Sequence, residues 1–192
     1  MKKAFFSILL IFAIMFNGIS HASELFPLSV GNYWKLQTVG DPLSHGTLRV
    51  IGTANLGGVQ AFVLEDQWTD HGDVDFGFVF AREINQVLYA YEGGGKVIIP
   101  FKAGAVGTTW SYTRGDGSLI VVEIVGIEDI TVPAGFFPGS YHYRETGYWG
   151  GVLDYSDDHW IHPGTGPVYF VDDTHLPPTE QDHDELVEYS VN

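Results

Sequence analysis

Past its first 22 residues, no window of about twelve residues in this chain holds a 3.6-residue apolar period, which leaves strands as its building material. Twenty-four glycines and nine prolines are scattered along it as punctuation rather than pooled in a linker. Between them lie short runs rich in Val, Ile, Phe, Tyr and Trp. These predict strands over 33–39, 46–52, 59–65, 76–83, 86–91, 96–99, 109–113, 118–127, 140–146, 151–154, 158–162, 167–171 and 186–191. The run from Ile120 to Ile124 is continuous, as expected of a central strand or one buried on both faces. Tyr141, Tyr143 and Glu145 alternate with His142, Arg144 and Thr146, the pattern of a strand wet on one side. Short strands joined by Gly turns predict an all-β single domain. Its sheet is antiparallel and curls into a barrel, an open barrel or a sandwich.

The N-terminus reads as an export signal. Lys2 and Lys3 precede an apolar run from Ala4 to Phe16, and Ser20-His21-Ala22 offers small residues at the −3 and −1 positions of a cleavage site. Residues 1–22 are therefore expected to be a signal peptide cut after Ala22, leaving one domain over 23–192. The apolar run is shorter than the roughly 20 residues of a membrane span, and later runs are shorter still, so no integral membrane segment is expected in the mature chain. The predicted location is extracytoplasmic, periplasmic or secreted. Losing Lys2 and Lys3 moves the formal net charge from −15 to −17. Such acidity disfavours nucleic acid and anionic lipid and suits cations or a basic partner. There is no cysteine, which excludes disulfides, thiolate zinc sites and a lipidated N-terminal Cys.

A faint echo runs through the chain. Gly31-Asn32-Tyr33-Trp34 followed by Gly46-Thr47-Leu48 is matched by Gly107-Thr108-Thr109-Trp110 followed by Gly117-Ser118-Leu119. Two related β-units could pack as halves of one core.

Four segments carry a resemblance. Phe26-Pro27-Leu28-Ser29-Val30-Gly31-Asn32-Tyr33-Trp34 resembles the opening signature of a loosely defined group of bacterial exported and lipoprotein-like all-β proteins without a settled activity. Ile130-Thr131-Val132-Pro133-Ala134-Gly135-Phe136 resembles their second signature, and Trp160-Ile161-His162-Pro163-Gly164-Thr165-Gly166 their third. Glu185-Leu186-Val187-Glu188-Tyr189 is similar to their closing strand. This chain departs in lacking an anchoring Cys and in carrying Pro167-Val168-Tyr169 where a polar strand is usual. The resemblance implies export and an all-β fold, and brings no catalytic residues. On physical grounds the same segments read as scaffold: Pro27 fixes φ before a strand, and the Pro-Ala-Gly and Pro-Gly-Thr-Gly runs make turns.

Catalytic and cofactor motifs fail. Gly93-Gly94-Gly95-Lys96 has the wrong spacing for a phosphate loop, and Val97 stands where Ser or Thr is required. There is no Gly-x-Ser-x-Gly elbow and no His-Glu-x-x-His pair. Asp70, Asp73 and Asp75 lack calcium-loop spacing and read as a turn. His159, His162 and His175, with Asp157, Asp158, Asp172 and Asp173 nearby, invite a zinc or hydrolase reading. Strand alternation sends His159 and His162 to opposite faces, so neither a metal nor a cofactor is expected. Glu65 with Asp66, or Glu145 with Asp154, could supply a carboxylate pair, but 24 acids make such pairs common.

Aromatic residues are the better functional material. Trp34 and Trp110 open apolar strands and read as core. Trp68, Tyr89, Tyr91, Trp149 and Trp160 stand among polar or glycine neighbours and are the candidate ligand-binding residues. The expected function is a non-enzymatic binding domain for an apolar ligand, a glycan or a protein partner, through an aromatic-lined concavity. A structural envelope role and a hydrolase using the C-terminal His and Asp residues are the alternatives. A lined internal cavity would favour the first.

Overall fold

Two-residue turns make five of the eleven connections between strands, and the chain pairs strands consecutive in sequence, the sixth and seventh excepted. The computed structural model describes residues 24–92, 96–173 and 181–192. They form a single antiparallel sheet of 12 strands: β1 (Tyr33–Thr38), β2 (Ser44–Leu56), β3 (Val59–Asp70), β4 (Asp73–Ile84), β5 (Val87–Tyr91), β6 (Val97–Ile98), β7 (Thr109–Thr113), β8 (Leu119–Val132), β9 (Gly135–Trp149), β10 (Val152–His162), β11 (Gly166–Asp173) and β12 (Gln181–Ser190). The proposed cleavage site after Ala22 and residue His175 lie outside the described residues.

The sheet is two six-stranded meanders, β1–β6 and β7–β12, zipped together where β1 pairs with β12 from Tyr33↔Ser190 to Thr38↔Asp184. It curls until β6 and β7 approach, which makes a nearly closed barrel with one unsealed seam. Residues 99–103 occupy part of that seam. Leu88 N donates to Phe101 O at 2.9 Å and Ala103 N to Gln86 O at 2.9 Å, while Trp110 Nε1 donates to Ile99 O at 2.7 Å.

The echo in sequence has a backbone counterpart. Gly31 N donates to Val50 O and Val50 N to Asn32 O; Gly107 N donates to Ile124 O and Ile124 N to Thr108 O. Gly31 and Gly107 both have positive φ, at 97° and 86°, a region a side chain resists. Each half thus begins with the same glycine-led entry into a Trp-bearing strand.

Three expectations are corrected. The runs 151–154 and 158–162 form one strand, β10: a bulge takes up Asp154, and the stretch Tyr155-Ser156-Asp157 that resembles a break pairs in register with Gly147, Thr146 and Glu145. The run Ile120–Ile124 is neither central nor buried on both faces. It lies one strand from the seam, with Ile120, Val122 and Ile124 buried and Val121 and Glu123 half-buried. Trp160 is 9% exposed despite its polar neighbours. The Asp70–Asp73 turn is a two-residue hairpin through His71 and Gly72, both at positive φ, as the acidic run predicts for a turn.

One end of the barrel is plugged. The segment entering β1 buries Leu25, Phe26 and Leu28, and Glu83 accepts the Leu25 N–H at 2.6 Å as well as that of Phe26. The four segments that carry the resemblance meet here. Trp34 is fully buried, touches Phe26 (ring centroids 4.9 Å apart) and donates its indole N–H to Thr165 O. Ala134 N donates to Leu186 O at 3.0 Å, and Val132, Phe137 and Leu186 join the same core. Their role is to close the base. No helix among the described residues is long and apolar enough to cross a membrane.

Candidate functional site

Alternation aims one face of every strand into the barrel, and along several strands that face turns from apolar to acidic away from the plugged end. On β3 it reads Leu64, Asp66, Trp68; on β12 Leu186, Asp184; on β11 Phe170, Asp172; on β10 Ile161, His159, Asp157. Between the apolar base and the acidic rim lies a cavity of about 340 Å³. Phe26, Trp68, Phe101 and Phe170 give it aromatic walls, and Asp66, Asp172 and Asp184 give it carboxylates. No Lys or Arg lines it. That volume falls in the range of small-molecule sites, about 300–1,000 Å³.

Trp68 is seated by a glycine. Gly46 is its partner across β2 and β3, and a Cβ there would stand 2.5 Å from Trp68 Cζ3. The indole therefore lies on bare backbone. Gly147 receives the Tyr155 ring in the same manner, with Cζ 2.6 Å from where a Cβ would be.

His159 is the least satisfied polar group in the wall. Its ring stands edge-on between Phe101 (centroids 5.4 Å) and Phe170 (5.0 Å). Both ring nitrogens are closed off from water and have no hydrogen-bond partner among the described residues. Burial holds its pKa below the usual histidine value, so the imidazole is neutral, with one donor and one acceptor unused. Leaving such groups unpaired costs about 1–3 kcal/mol.

The carboxylates sit in a concavity that water reaches but protein surrounds. Burial, reinforced by Asp184 and Asp182, pushes Asp172 up to about 6. Asp157, on β10, is pushed up to about 7 by burial, against the lowering effect of the Asp173 N–H it accepts at 3.2 Å. Burial also raises Asp66 and Asp184, the latter despite the Thr38 hydroxyl that donates to it at 2.8 Å. Glu145 differs because it has a cation. Arg114 Nη2 lies 2.8 Å away, and the Tyr112 and Tyr155 hydroxyls donate to it at 3.1 and 2.7 Å.

Beyond Trp68 the concavity continues into an outer basin of about 410 Å³ that shares Trp68, Asp172 and Asp184 and adds Asp41, Asp70 and Asp182. Asp41, Asp70 and His71 bring ligand-type atoms within 4.8 Å of one another. The imidazole already bridges the two carboxylates, with Nδ1 2.6 Å from Asp70 and Nε2 3.3 Å from Asp41, and both acids raise its pKa.

Of the five candidate binding residues, Trp68 alone borders this cavity. Tyr91 lines a separate groove of about 750 Å³ at the seam, with Phe78, Phe80, Ile98 and Arg114. Tyr89 lies on the outer face under the Arg82 guanidinium, 5.4 Å from its ring centroid. Trp149 is 56% exposed at the tip of the β9–β10 hairpin. Trp160 is on the opposite face of β10 from His159, stacked on His142 at 4.0 Å and donating to Glu128 at 3.0 Å. His159 and His162 occupy different surroundings, the latter beside Thr165 and Phe137. Glu65 and Asp66 fall on opposite faces of β3. Phe26, Phe101, Phe170 and Asp184 escaped sequence reasoning. Phe170 and Asp184 are marked only by a place on an inward strand face, which requires knowing the register, and Phe26 and Phe101 lie in segments outside the strands.

No family model matches the chain, and no curated protein matches it. Two solved structures are similar. One is a Bacteroides fragilis protein described as exported, with a YmcC-like fold: 15% identity, TM-score 0.58, covering 88% of this chain and 99% of that one. The other is described as a lipoprotein of Parabacteroides distasonis: 17% identity, TM-score 0.58, with the same coverage. At these identities the likeness is one of fold.

Proposed function

We propose that this is an exported, non-enzymatic binding protein, cut after Ala22, whose site is the aromatic-walled cavity beside Trp68. The observation that carries the reading is that cavity itself, about 340 Å³ inside an otherwise packed barrel, with an indole at its mouth and an unpartnered imidazole in its wall. The similar folds of proteins described as exported or as lipoproteins support the location. The absence of a nucleophile–base pair around His159, which touches Phe101 and Phe170, favours binding over hydrolysis.

The test is ligand retention. Protein purified from its native host is analysed intact and then extracted, and both fractions go to mass spectrometry. The reading expects an N-terminus at Ser23 and a stoichiometric small molecule that Trp68→Ala releases. A chain retaining residues 1–22 defeats the export claim, and an empty protein defeats the binding claim. A second reading, a partner-docking role, is favoured by the outer face of β4, where Phe76 and Phe78 are 70% and 53% exposed. A protein partner captured through that face, with the cavity empty, would establish it instead.

A further inference from the structure

We infer that the cavity takes an organic cation, an amine whose ammonium lies among Asp66, Asp172 and Asp184 and whose apolar or aromatic body lies between Trp68, Phe101 and Phe170. This rests on the binding-site reading above and names the class of ligand.

Three observations converge on it. The inward faces change character along the barrel axis, so a ligand filling the cavity must itself be apolar at one end and polar at the other. Three carboxylates line the cavity with no Lys or Arg beside them among the described residues, and three more ring the outer basin, two of them bridged by His71. An anion placed in the cavity meets repulsion, and a neutral ligand leaves its carboxylates uncompensated. A cation removes the mutual repulsion that Asp172 feels from Asp184 and Asp182. Glu145 shows the contrast within the same barrel, since its carboxylate is neutralised by Arg114 at 2.8 Å.

The third observation is independent of charge. His159 lines the cavity, keeps both nitrogens unpartnered and is neutral. With the ring between Phe101 and Phe170 the nitrogens are closed off, so an amine N–H meets the imidazole lone pair when the ring turns from that place. The aromatic walls suit the same guest, because indole and phenyl faces attract ammonium groups and the carbons next to them. Outside the cavity, the acidic basin and a net charge of −15 draw cations inward and turn anions away.

The test uses the mature chain stripped of any ligand by unfolding and refolding, with isothermal titration calorimetry at pH 7.5 and low salt. The probes are tryptamine, phenethylamine and spermidine, set against indole-3-acetate and phenylacetate, which keep the rings and reverse the charge. At least one aromatic amine is expected to bind. Its matched acid should bind at least about 100-fold more weakly, and Asp172→Asn and Asp66→Asn should each weaken the amine about tenfold or more. Circular dichroism confirms that the variants are folded. His159→Phe tests the wall separately and should weaken the amine while leaving ring-only probes such as indole unaffected. Equal binding of amine and acid overturns the inference, as does amine binding that ignores both Asp variants. If no amine binds at millimolar concentration, or if the native extract holds a neutral or anionic molecule released by Trp68→Ala, the cation inference falls while the cavity remains the binding site. An extract with no ligand and no response to any probe removes both.

Discussion

Gly46 should be intolerant of the smallest possible substitution, and the reason is Trp68. The two residues face each other across β2 and β3. A methyl on Gly46 would lie 2.5 Å from Trp68 Cζ3 and 3.5 Å from Cδ2. Carbon atoms rest at about 3.5–4.0 Å, so the indole must retreat by about 1 Å or leave. The backbone is no obstacle, because Gly46 is not among the residues at positive φ. Without the ring, Gly→Ala at a compatible position stabilises by about 0.4–1 kcal/mol. With the ring in place, overpacking costs about 1–3 kcal/mol. The two cases differ in sign. Urea unfolding of Gly46→Ala should show a lower midpoint with unchanged m-value, together with a shift in tryptophan emission as Trp68 moves toward water. In the Trp68→Ala background the same substitution should cost nothing, a coupling of about 0.5–3 kcal/mol in the double-mutant cycle. A Gly46→Ala protein as stable as the wild type, or a cost that persists without the indole, refutes the packing argument. It would also remove the reason for placing Trp68 at the cavity mouth.

Trp34→Ala and Trp160→Ala should each cost about 3–5 kcal/mol in denaturant unfolding, since both rings are buried and hydrogen-bonded. Trp149→Ala, at 56% exposure, should stay within about 0.5 kcal/mol, and a comparable loss at all three would undo this division. Trp110→Phe removes the indole N–H that reaches Ile99 O across the seam, so hydrogen exchange should quicken at the Leu88 and Ala103 amides and not at the β1–β12 junction. In the unliganded protein Asp172→Asn should be silent below about pH 3, where both states are protonated, and stabilising above pH 6. Its carboxyl, raised toward 6 by burial, Asp184, Asp182 and Glu145, favours the fold while protonated and loses that contribution as pH rises through 6. With water in the basin screening the charge, the gain at pH 8 should be about 1 kcal/mol, and a variant less stable than wild type at pH 8 contradicts the assignment.

The all-β fold was legible because period and punctuation agree nearly everywhere. Where β3 and β12 run longer than the apolar pattern, most of the extra residues are polar and lie toward the acidic end of the barrel. Residues Asp66 to Asp70 extend β3, and Gln181 to Glu185 extend β12, beyond any alternation of Val and Ile. A sequence pattern finds strands by their buried face, and a face that buries carboxylates against water carries no such signal. The same blindness hid the site. Asp66 lies far in sequence from Asp172 and Asp184, and the run of pairings from β3 through β2, β1 and β12 to β11 brings the three together. Trp160 misled for the opposite reason. Asp158 and His159 beside it suggest water, yet Asp158 is engaged by His142 and Arg144 and the indole is covered by the β8–β9 hairpin.

The base and the rim of the barrel are held by different kinds of contact, and the fold is shared at 15–17% identity. Every residue that fixes the plugged end is constrained by several others at once. Trp34 needs Phe26 beside it and the Thr165 carbonyl at its N–H, and the turn at Ala134 needs the Leu186 carbonyl. Changing one leaves a buried polar group or a void, at a cost near the whole margin of a typical domain, about 5–15 kcal/mol. The inward carboxylates near the rim are under less mutual constraint than the base. Asp66 faces the cavity and Asp172 both cavity and outer basin, so other side chains there change what is bound without unseating the barrel. On the proposed reading, ligand choice would rest on the inward positions of β3, β10, β11 and β12 near the mouth. The consequence can be tested on this chain alone. Asp66→Lys with Asp172→Lys should leave the urea midpoint near that of the wild type and reverse the preference between an aromatic amine and its matched acid. Collapse of the fold in that double variant would show that rim and base are coupled after all.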